Sequence, residues 1–185
     1  MKNLKLLFCL SLACLFISCA SVKYSELAKP TSSQDTLSEG YSLLSYLMKD
    51  ESNLDKILWI KDTNPKISDT IQKISKVSRE TQARLQVIAQ DKPVINLKTP
   101  SLPPIEAKTR DAISKSTTST LLGTSGNSFE LRLLLTQVQA TNYAVHLCQV
   151  LAAEDPNPSR QKFLNQTKKS FLNLREEAVK EIGAL

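Results

Sequence analysis

The sequence predicts an all-α protein in which four long helices form an antiparallel bundle and a fifth, shorter helix lies in a long connection. Apolar residues recur three and four positions apart over long stretches, which is the period of a helix with one buried face. Prolines and short polar residues fall between these stretches. The 185 residues include only four glycines and few aromatics, too little turn-forming sequence for a β-sandwich.

The first predicted helix runs from Leu37 to about Ile60. Thr36 and Glu39 occupy the positions of a capping box, in which the Thr hydroxyl accepts an early backbone N–H and the Glu side chain reaches back. A polar segment, residues 50–53, interrupts the apolar stripe, and we expect a possible bend there. The stripe consists of Leu37, Tyr41, Leu44, Met48, Leu54, Ile57 and Leu58.

The second predicted helix begins at Asn64-Pro65, with Asn as the cap and Pro in the first turn, and ends near Gln90. Its inward positions alternate between spacings of four and three, which is typical of a bundle helix. The two middle positions are polar. The inward residues are Ile67, Ile71, Ile74, Ser78, Thr81, Leu85 and Ile88.

The connection that follows holds four of the eight prolines between residues 92 and 104, so it cannot be helical throughout. Residues 105–122 predict a third, weaker helix. Its Ser and Thr run at 116–120 disfavours a helix interior because short polar side chains compete for the backbone. The glycines at 123 and 126 end it.

Two further long helices complete the pattern. The fourth is predicted from Phe129 to about Glu154, with Asn127 as cap and Glu130 three residues on, and its broad apolar arc indicates deep burial. Residues 155–158 form a tight turn, and the fifth helix follows to about Ile182. Its inward residues are Leu164, Phe171, Leu174, Ala178 and Ile182.

The order of these elements is hairpin, long connection, hairpin, and this topology resembles the ferritin-like bundles. The di-iron sites of that family require Glu-x-x-His on two helices. The single histidine, His146, has Tyr143 three positions before it. We therefore expect neither the metal ligands nor the metal function of the family, and no cofactor. A plain up-and-down bundle of five helices is the alternative.

The N-terminal segment has the features of an export leader. Lys2 and Lys5 precede 13 uncharged residues, too few to span a bilayer and typical of a secretory signal. Residues 15–19, Leu-Phe-Ile-Ser-Cys, resemble the lipobox of bacterial lipoproteins, with Phe16 at a place where Leu is preferred. The resemblance implies cleavage after Ser18 and a covalent lipid on Cys19. An ordinary secretory peptide or an uncleaved anchor are the alternatives.

The lipoprotein resemblance sets expectations for organisation and location. Residues 1–18 would be the signal peptide, 19–35 the lipidated cysteine and a flexible tether, and 36–185 the bundle domain. Ala20 is not the Asp that retains lipoproteins in the inner membrane of well-studied Gram-negative systems, so the outer membrane is favoured. The processed chain would carry 22 basic and 18 acidic residues. This mild, scattered excess suits an anionic membrane surface and argues against nucleic acid.

No catalytic constellation is recognisable. His146 and Cys148 lie about 200° apart on a helix and cannot meet, so each is expected to be structural. There is no Gly-x-Ser-x-Gly elbow, no Walker motif and no Rossmann glycine pattern. We therefore expect a protein that is not an enzyme.

Two features are candidates for binding. Ser78, Thr81, Gln137 and Thr141 are polar residues on inward faces, and they predict either interhelical hydrogen bonds or a small-ligand pocket between helices 2 and 4. The basic residues of helix 5 predict a solvated face, or contact with an anionic envelope polymer or lipid headgroups. They are Arg160, Lys162, Lys168, Lys169, Arg175 and Lys180.

The sequence therefore predicts a lipid-anchored, non-catalytic helical bundle of the cell envelope that binds a protein or envelope polymer. The alternative is a periplasmic bundle that binds a small ligand between helices 2 and 4. The sequence does not indicate an oligomeric state.

Overall fold

The computed structural model describes residues 33–185, which contain five α-helices, one 3-10 helix and no β-strand. The predicted all-α class is confirmed. The predicted signal peptide, Cys19 and most of the predicted tether lie outside the described residues. The helices are α1 (Ser33–Glu51), α2 (Pro65–Ile88), α3 (Pro104–Gly123), α4 (Gly126–Glu154) and α5 (Pro158–Ile182), with the 3-10 helix at Leu54–Trp59.

The helices pack unequally. The most extensive contact is between α4 and α5, while α1 contacts α2 and α4, and α2 also contacts α5. Helix α3 lies at the edge: it contacts α4 and buries only Ala107. Within residues 33–185, every helix is too short or too polar to cross a membrane.

Two predicted helix starts are wrong, and in both places the glutamate expected to cap the helix contacts another segment of the chain. The chain is already helical at Ser33, the first described residue, so Thr36 is not the helix cap; Glu39 instead pairs with Lys98 at 2.7 Å and accepts the backbone N–H of residue 101 at 3.1 Å. Helix α4 begins at Gly126, and Glu130 accepts the Asn64 N–H at 2.5 Å. Each Glu that was expected to cap its own helix instead contacts a neighbouring segment.

The other predicted boundaries are close to those observed. The side chain of Asn64 accepts the Lys66 N–H at 3.0 Å, and that of Asn157 accepts the Ser159 N–H at 2.9 Å. The expected bend after residue 50 is a full break, at which the α-helix ends and the 3-10 helix follows.

The buried side chains form two apolar clusters. The larger joins the first part of α1 to α2, α4 and α5, and contains, among others, Tyr41, Leu44, Met48, Leu85, Cys148, Leu164 and Phe171. The smaller lies around the start of α4 and the 3-10 helix, and contains Ile57, Ile67, Ile71, Phe129, Leu133, Leu134 and Ala178. Polar residues occur where the two clusters meet.

Candidate functional site

The polar layer comprises Glu51, Ser75, Gln137 and Thr141. Along α4, Gln137 and Thr141 fall between Leu134 of the smaller cluster and Ala144 of the larger one. Along α1 and the 3-10 helix, Glu51 falls between Met48 of the larger cluster and Ile57 of the smaller one. The layer therefore interrupts the core at mid-height.

The structure buries all four of the residues predicted to bind a ligand or to fix register. Ser78, Thr81, Gln137 and Thr141 are each no more than 6% exposed. The Thr141 hydroxyl donates to the Gln137 carbonyl at 2.6 Å, and the Gln137 amide nitrogen donates to Thr136 at 3.3 Å, so both bonds stay within α4.

Two buried polar atoms of the layer, Oε2 of Glu51 and Oε1 of Gln137, have no hydrogen-bond partner among the described residues, and neither has the buried Oγ of Ser78 on α2. A buried polar atom without a partner costs about 1–3 kcal/mol. Two such atoms in one layer therefore indicate either a local protonation state or a ligand that supplies the missing hydrogens.

The carboxyl group of Glu51 is the chemically unusual member of the layer. Burial, aided by the negative charge of Asp50, raises its pKa to about 7, while a hydrogen bond with Gln137 opposes the rise. Its place in the last turn of α1 adds the negative end of the helix dipole, which further disfavours an anion. The sequence interpretation missed Glu51 because it lies in a polar segment that reads as a solvated bend.

The end of α1 is held against α2 by Ser75 and Arg79. The Ser75 hydroxyl accepts the Asp55 N–H at 2.9 Å and donates to the Glu51 carbonyl at 3.1 Å. The Arg79 guanidinium donates to the Ser52 carbonyl at 2.7 Å and pairs with Asp55 at 3.0 Å. Glu51 therefore lies at a well-fixed chain end.

A second buried polar group, formed by Tyr41, Asp155 and Arg160, ties α1 to the α4–α5 turn. The Tyr41 hydroxyl donates to Oδ2 of Asp155 at 2.5 Å, and Arg160 donates to both carboxylate oxygens, at 2.6 and 2.9 Å. The remaining guanidinium nitrogen of Arg160 donates to the carbonyls of Asp91 and Pro93 at 2.8 and 2.9 Å. The group thus also fixes the start of the long connection.

The charges of this group stabilise one another. Burial alone would raise the pKa of Asp155, but the hydrogen bonds from Arg160, Tyr41 and the Asn157 N–H lower it below its usual value. Burial and the neighbouring carboxylate raise the pKa of Tyr41. With every charge paired, the group is a structural clamp. The prediction that Arg160 belongs to a solvated basic face is wrong, because its side chain is completely buried against Asp155.

The other basic residues of helix 5 have mixed surroundings. Lys162, Lys169 and Lys180 are exposed. Arg175 donates to the side-chain oxygen of Asn142 on α4 at 2.8 Å. The basic face predicted to contact an anionic polymer therefore consists of scattered lysines, of which Lys168 is partly buried.

Six large apolar side chains on α3 and α4 remain exposed, and we call this set of residues the α3–α4 face. It consists of Ile105 and Ile113 on α3 and of Leu131, Leu135, Tyr143 and Val150 on α4, each at least 38% exposed. An open cleft of about 210 Å³ lies between the two helices, lined in part by Leu121, Arg132, Leu135 and Gln139. The residues on α4 extend over about 28 Å at 1.5 Å per residue.

His146 and Cys148 lie apart, as predicted. His146 is exposed, whereas Cys148 is buried in the larger cluster, and burial raises its pKa to about 12. A thiol that is protonated and inaccessible is neither a nucleophile nor a metal ligand. In residues 33–185 there is no group of three or more His, Cys, Asp or Glu arranged to hold a metal ion.

Comparison with known proteins gives no relative: neither a family model, nor a curated protein, nor a solved structure matches the chain.

Proposed function

We propose that the chain is a lipid-anchored, non-catalytic helical module of the cell envelope that binds a protein partner through the α3–α4 face. The anchor is the covalent lipid on Cys19. The location is the envelope, with the outer membrane favoured over the inner membrane.

The scaffold in this proposal is an antiparallel four-helix bundle of α1, α2, α4 and α5. The contacts that support it are α1 with α2, α2 with α5, α5 with α4 and α4 with α1, which close a ring of four. The connections at residues 52–64, which include the 3-10 helix, and at residues 155–157 are compatible with antiparallel neighbours. Helix α3 then lies outside the ring.

The single observation that carries the binding proposal is the α3–α4 face. Six large apolar side chains remain exposed on two adjacent helices, next to an open cleft. Contiguous exposed apolar surface is typical of protein interaction sites, whereas single exposed apolar residues are common everywhere. The arginines Arg110 and Arg132 border it, and Arg beside apolar residues is characteristic of interfaces.

A site-specific crosslinking experiment tests the face. A photo-crosslinking amino acid is placed at Leu135, and a matched one at Val87, which is exposed at 59% on α2. The protein is expressed in its native host, irradiated in cells and extracted from the membrane. We expect a discrete crosslinked species from position 135 that is missing from position 87. Equal crosslinking at both positions would contradict the proposal.

A paired substitution provides the control for simple loss of folding. Leu135→Glu with Val150→Glu should abolish the crosslinked complex formed by a probe at Ile113. Val87→Glu with Val179→Glu changes the same number of exposed apolar side chains on other helices and should leave the complex intact. Equal far-ultraviolet circular dichroism spectra would show that both variants fold.

A second function, binding of a small ligand between α2 and α4, is favoured by the unpartnered atoms of Ser78 and Gln137. Such a ligand would be small and would donate hydrogen bonds. Native mass spectrometry of the extracted protein would show a mass increment in the wild type that Ser78→Ala and Gln137→Leu each remove. An unmodified wild-type mass would eliminate this function.

The anchor has its own test. A fatty-acid probe with an alkyne tag should label the wild type and the Cys14→Ala variant equally and should leave Cys19→Ala unlabelled. Equal labelling of Cys19→Ala would refute lipidation at that residue.

A further inference from the structure

One oxygen of the Glu51 carboxyl group lacks the hydrogen-bond donor that a buried carboxylate needs. Its Oε2 atom is buried and has no hydrogen-bond donor among the described residues. A buried anion is stable only when it is paired or accepts several hydrogen bonds. This carboxyl group therefore has a structural reason to remain protonated.

The charges around Glu51 do not compensate a negative one. Asp50 on α1 acts on it unfavourably. The nearby cation on α2, Arg79, is engaged by Asp55 and the Ser52 carbonyl. On α4 the facing group is the uncharged amide of Gln137, whose hydrogen bond with the carboxyl group favours the anion but is outweighed by burial, and Arg175 of α5 is directed to Asn142.

Gln137 carries a second unpartnered atom: its Oε1 is a buried acceptor with no donor among residues 33–185. Protonation converts Oε2 of Glu51 from an acceptor into a donor. The adjacent amide carries the unpartnered acceptor that this donor needs. One proton thus satisfies two buried atoms that are otherwise both orphaned.

We propose that Glu51 is a proton-binding site inside the bundle, at which the protonated carboxyl group donates to the Gln137 amide and joins the end of α1 to α4. This inference is independent of the lipid anchor and of the partner-binding face. Loss of the proton leaves a buried anion beside an unpartnered amide oxygen, so it weakens the attachment of the α1 end and of the 3-10 helix that follows.

The sign of the pH effect follows from the direction of the shift. The carboxyl group binds its proton more tightly in the folded state, where its pKa is about 7, than in the unfolded state, where the ordinary value is 4.5. The stabilisation is complete below the unfolded value and is lost as pH rises through the folded one. Between pH 5 and 8, the unfolded-to-folded ratio should rise on the order of a hundredfold.

The direct test is a ¹³C NMR titration of the side-chain carboxyl groups in detergent-extracted, full-length protein labelled at glutamate. The Glu51 resonance is assigned as the one missing from Glu51→Gln. We expect its midpoint between about pH 6 and 8. A midpoint below pH 5 would overturn the proposal.

Urea denaturation from pH 5 to 8 gives a second readout, followed by the fluorescence of Trp59, the single tryptophan, which lies in the adjacent 3-10 helix. The background is His146→Gln, which removes the single histidine of the chain. Glu51→Gln should remove most of the pH dependence, whereas the exposed control Glu80→Gln should keep it. Identical pH profiles for the two variants would refute the role of Glu51.

Discussion

Replacement of Arg160 by methionine should be the most damaging conservative change in the described part of the chain. Methionine keeps much of the bulk of the side chain but removes the charge and every donor. Asp155 would then retain the Tyr41 hydroxyl and the Asn157 N–H but would lose both bonds to the guanidinium. The carbonyls of Asp91 and Pro93 would lose their donor as well.

The magnitude follows from the burial of the group. Both members of the ion pair are completely inaccessible to solvent, at 0% side-chain exposure. Removal of one partner of a buried ion pair costs about 3–5 kcal/mol, because the remaining charge stays buried without compensation. The two orphaned carbonyls would each add up to about 1 kcal/mol if water did not reach them. We therefore expect a loss of about 4 kcal/mol in the free energy of unfolding.

The assay is urea denaturation at pH 7, with Arg110→Met as the matched control. Arg110 also pairs with a carboxylate, Glu106 at 2.7 Å, but both side chains are more than 40% exposed. Exposed pairs contribute less than about 1 kcal/mol, so the control should unfold almost as the wild type does. A loss below 1 kcal/mol for Arg160→Met would refute the interpretation of the clamp.

The stabilisation contributed by the clamp should also depend on pH, but in the opposite direction to that contributed by Glu51. Asp155 has a lowered pKa in the folded protein, so its stabilisation is present above the ordinary value of 3.8 and is lost as pH falls through the folded value. We expect the wild type to lose stability in acid below about pH 4. An Asp155→Asn variant should be less stable than the wild type at pH 7 and should lose less stability on acidification. The same loss of stability in acid for the variant and the wild type would contradict this.

Three substitutions and one alkylation experiment test single side chains. Tyr41→Phe removes one hydrogen bond to the charged Asp155 and should lower the free energy of unfolding, measured by urea denaturation, by about 2 kcal/mol. An unchanged free energy of unfolding would show that this bond does not stabilise the protein. Ser78→Ala removes an unpartnered hydroxyl and should raise stability by up to about 1 kcal/mol, whereas Ser75→Ala, which loses two hydrogen bonds, should lower it by a similar amount. Cys148 should resist alkylation in the folded protein and react only on unfolding, measured by mass spectrometry of its tryptic peptide; fast labelling of the native protein would show that the thiol is accessible.

The helices were predictable because each depends on local pattern. The alternating spacing on α2 and the proline-marked starts of α2 and α5 correctly indicated where helices form and which faces are buried. Short-range chemistry was also sufficient to separate His146 from Cys148, since helix geometry alone fixes their directions.

The sites were less predictable, because they depend on partners distant in sequence. Arg160 resembles any surface arginine until Tyr41, 119 residues earlier, and the carbonyls near Pro93 are brought to it. Glu51 resembles a solvated acid until Gln137 covers it. Ser78 and Gln137 were identifiable as intrusions into apolar faces, but whether such a residue finds a partner is determined by the neighbouring helix rather than by its own.

The two buried polar groups therefore have different consequences for the protein. The clamp at Asp155 is fully paired, so it contributes a fixed constraint that joins α1, the long connection and the α4–α5 turn across the neutral range. The polar layer is incompletely paired, so its contribution changes with the proton on Glu51. Because α1 is attached at both groups, through Tyr41 and through Glu51, acid and base should loosen α1 at two different points. A protein held in this way is most stable between the two titrations, at mildly acidic pH, where Asp155 is ionised and Glu51 is protonated.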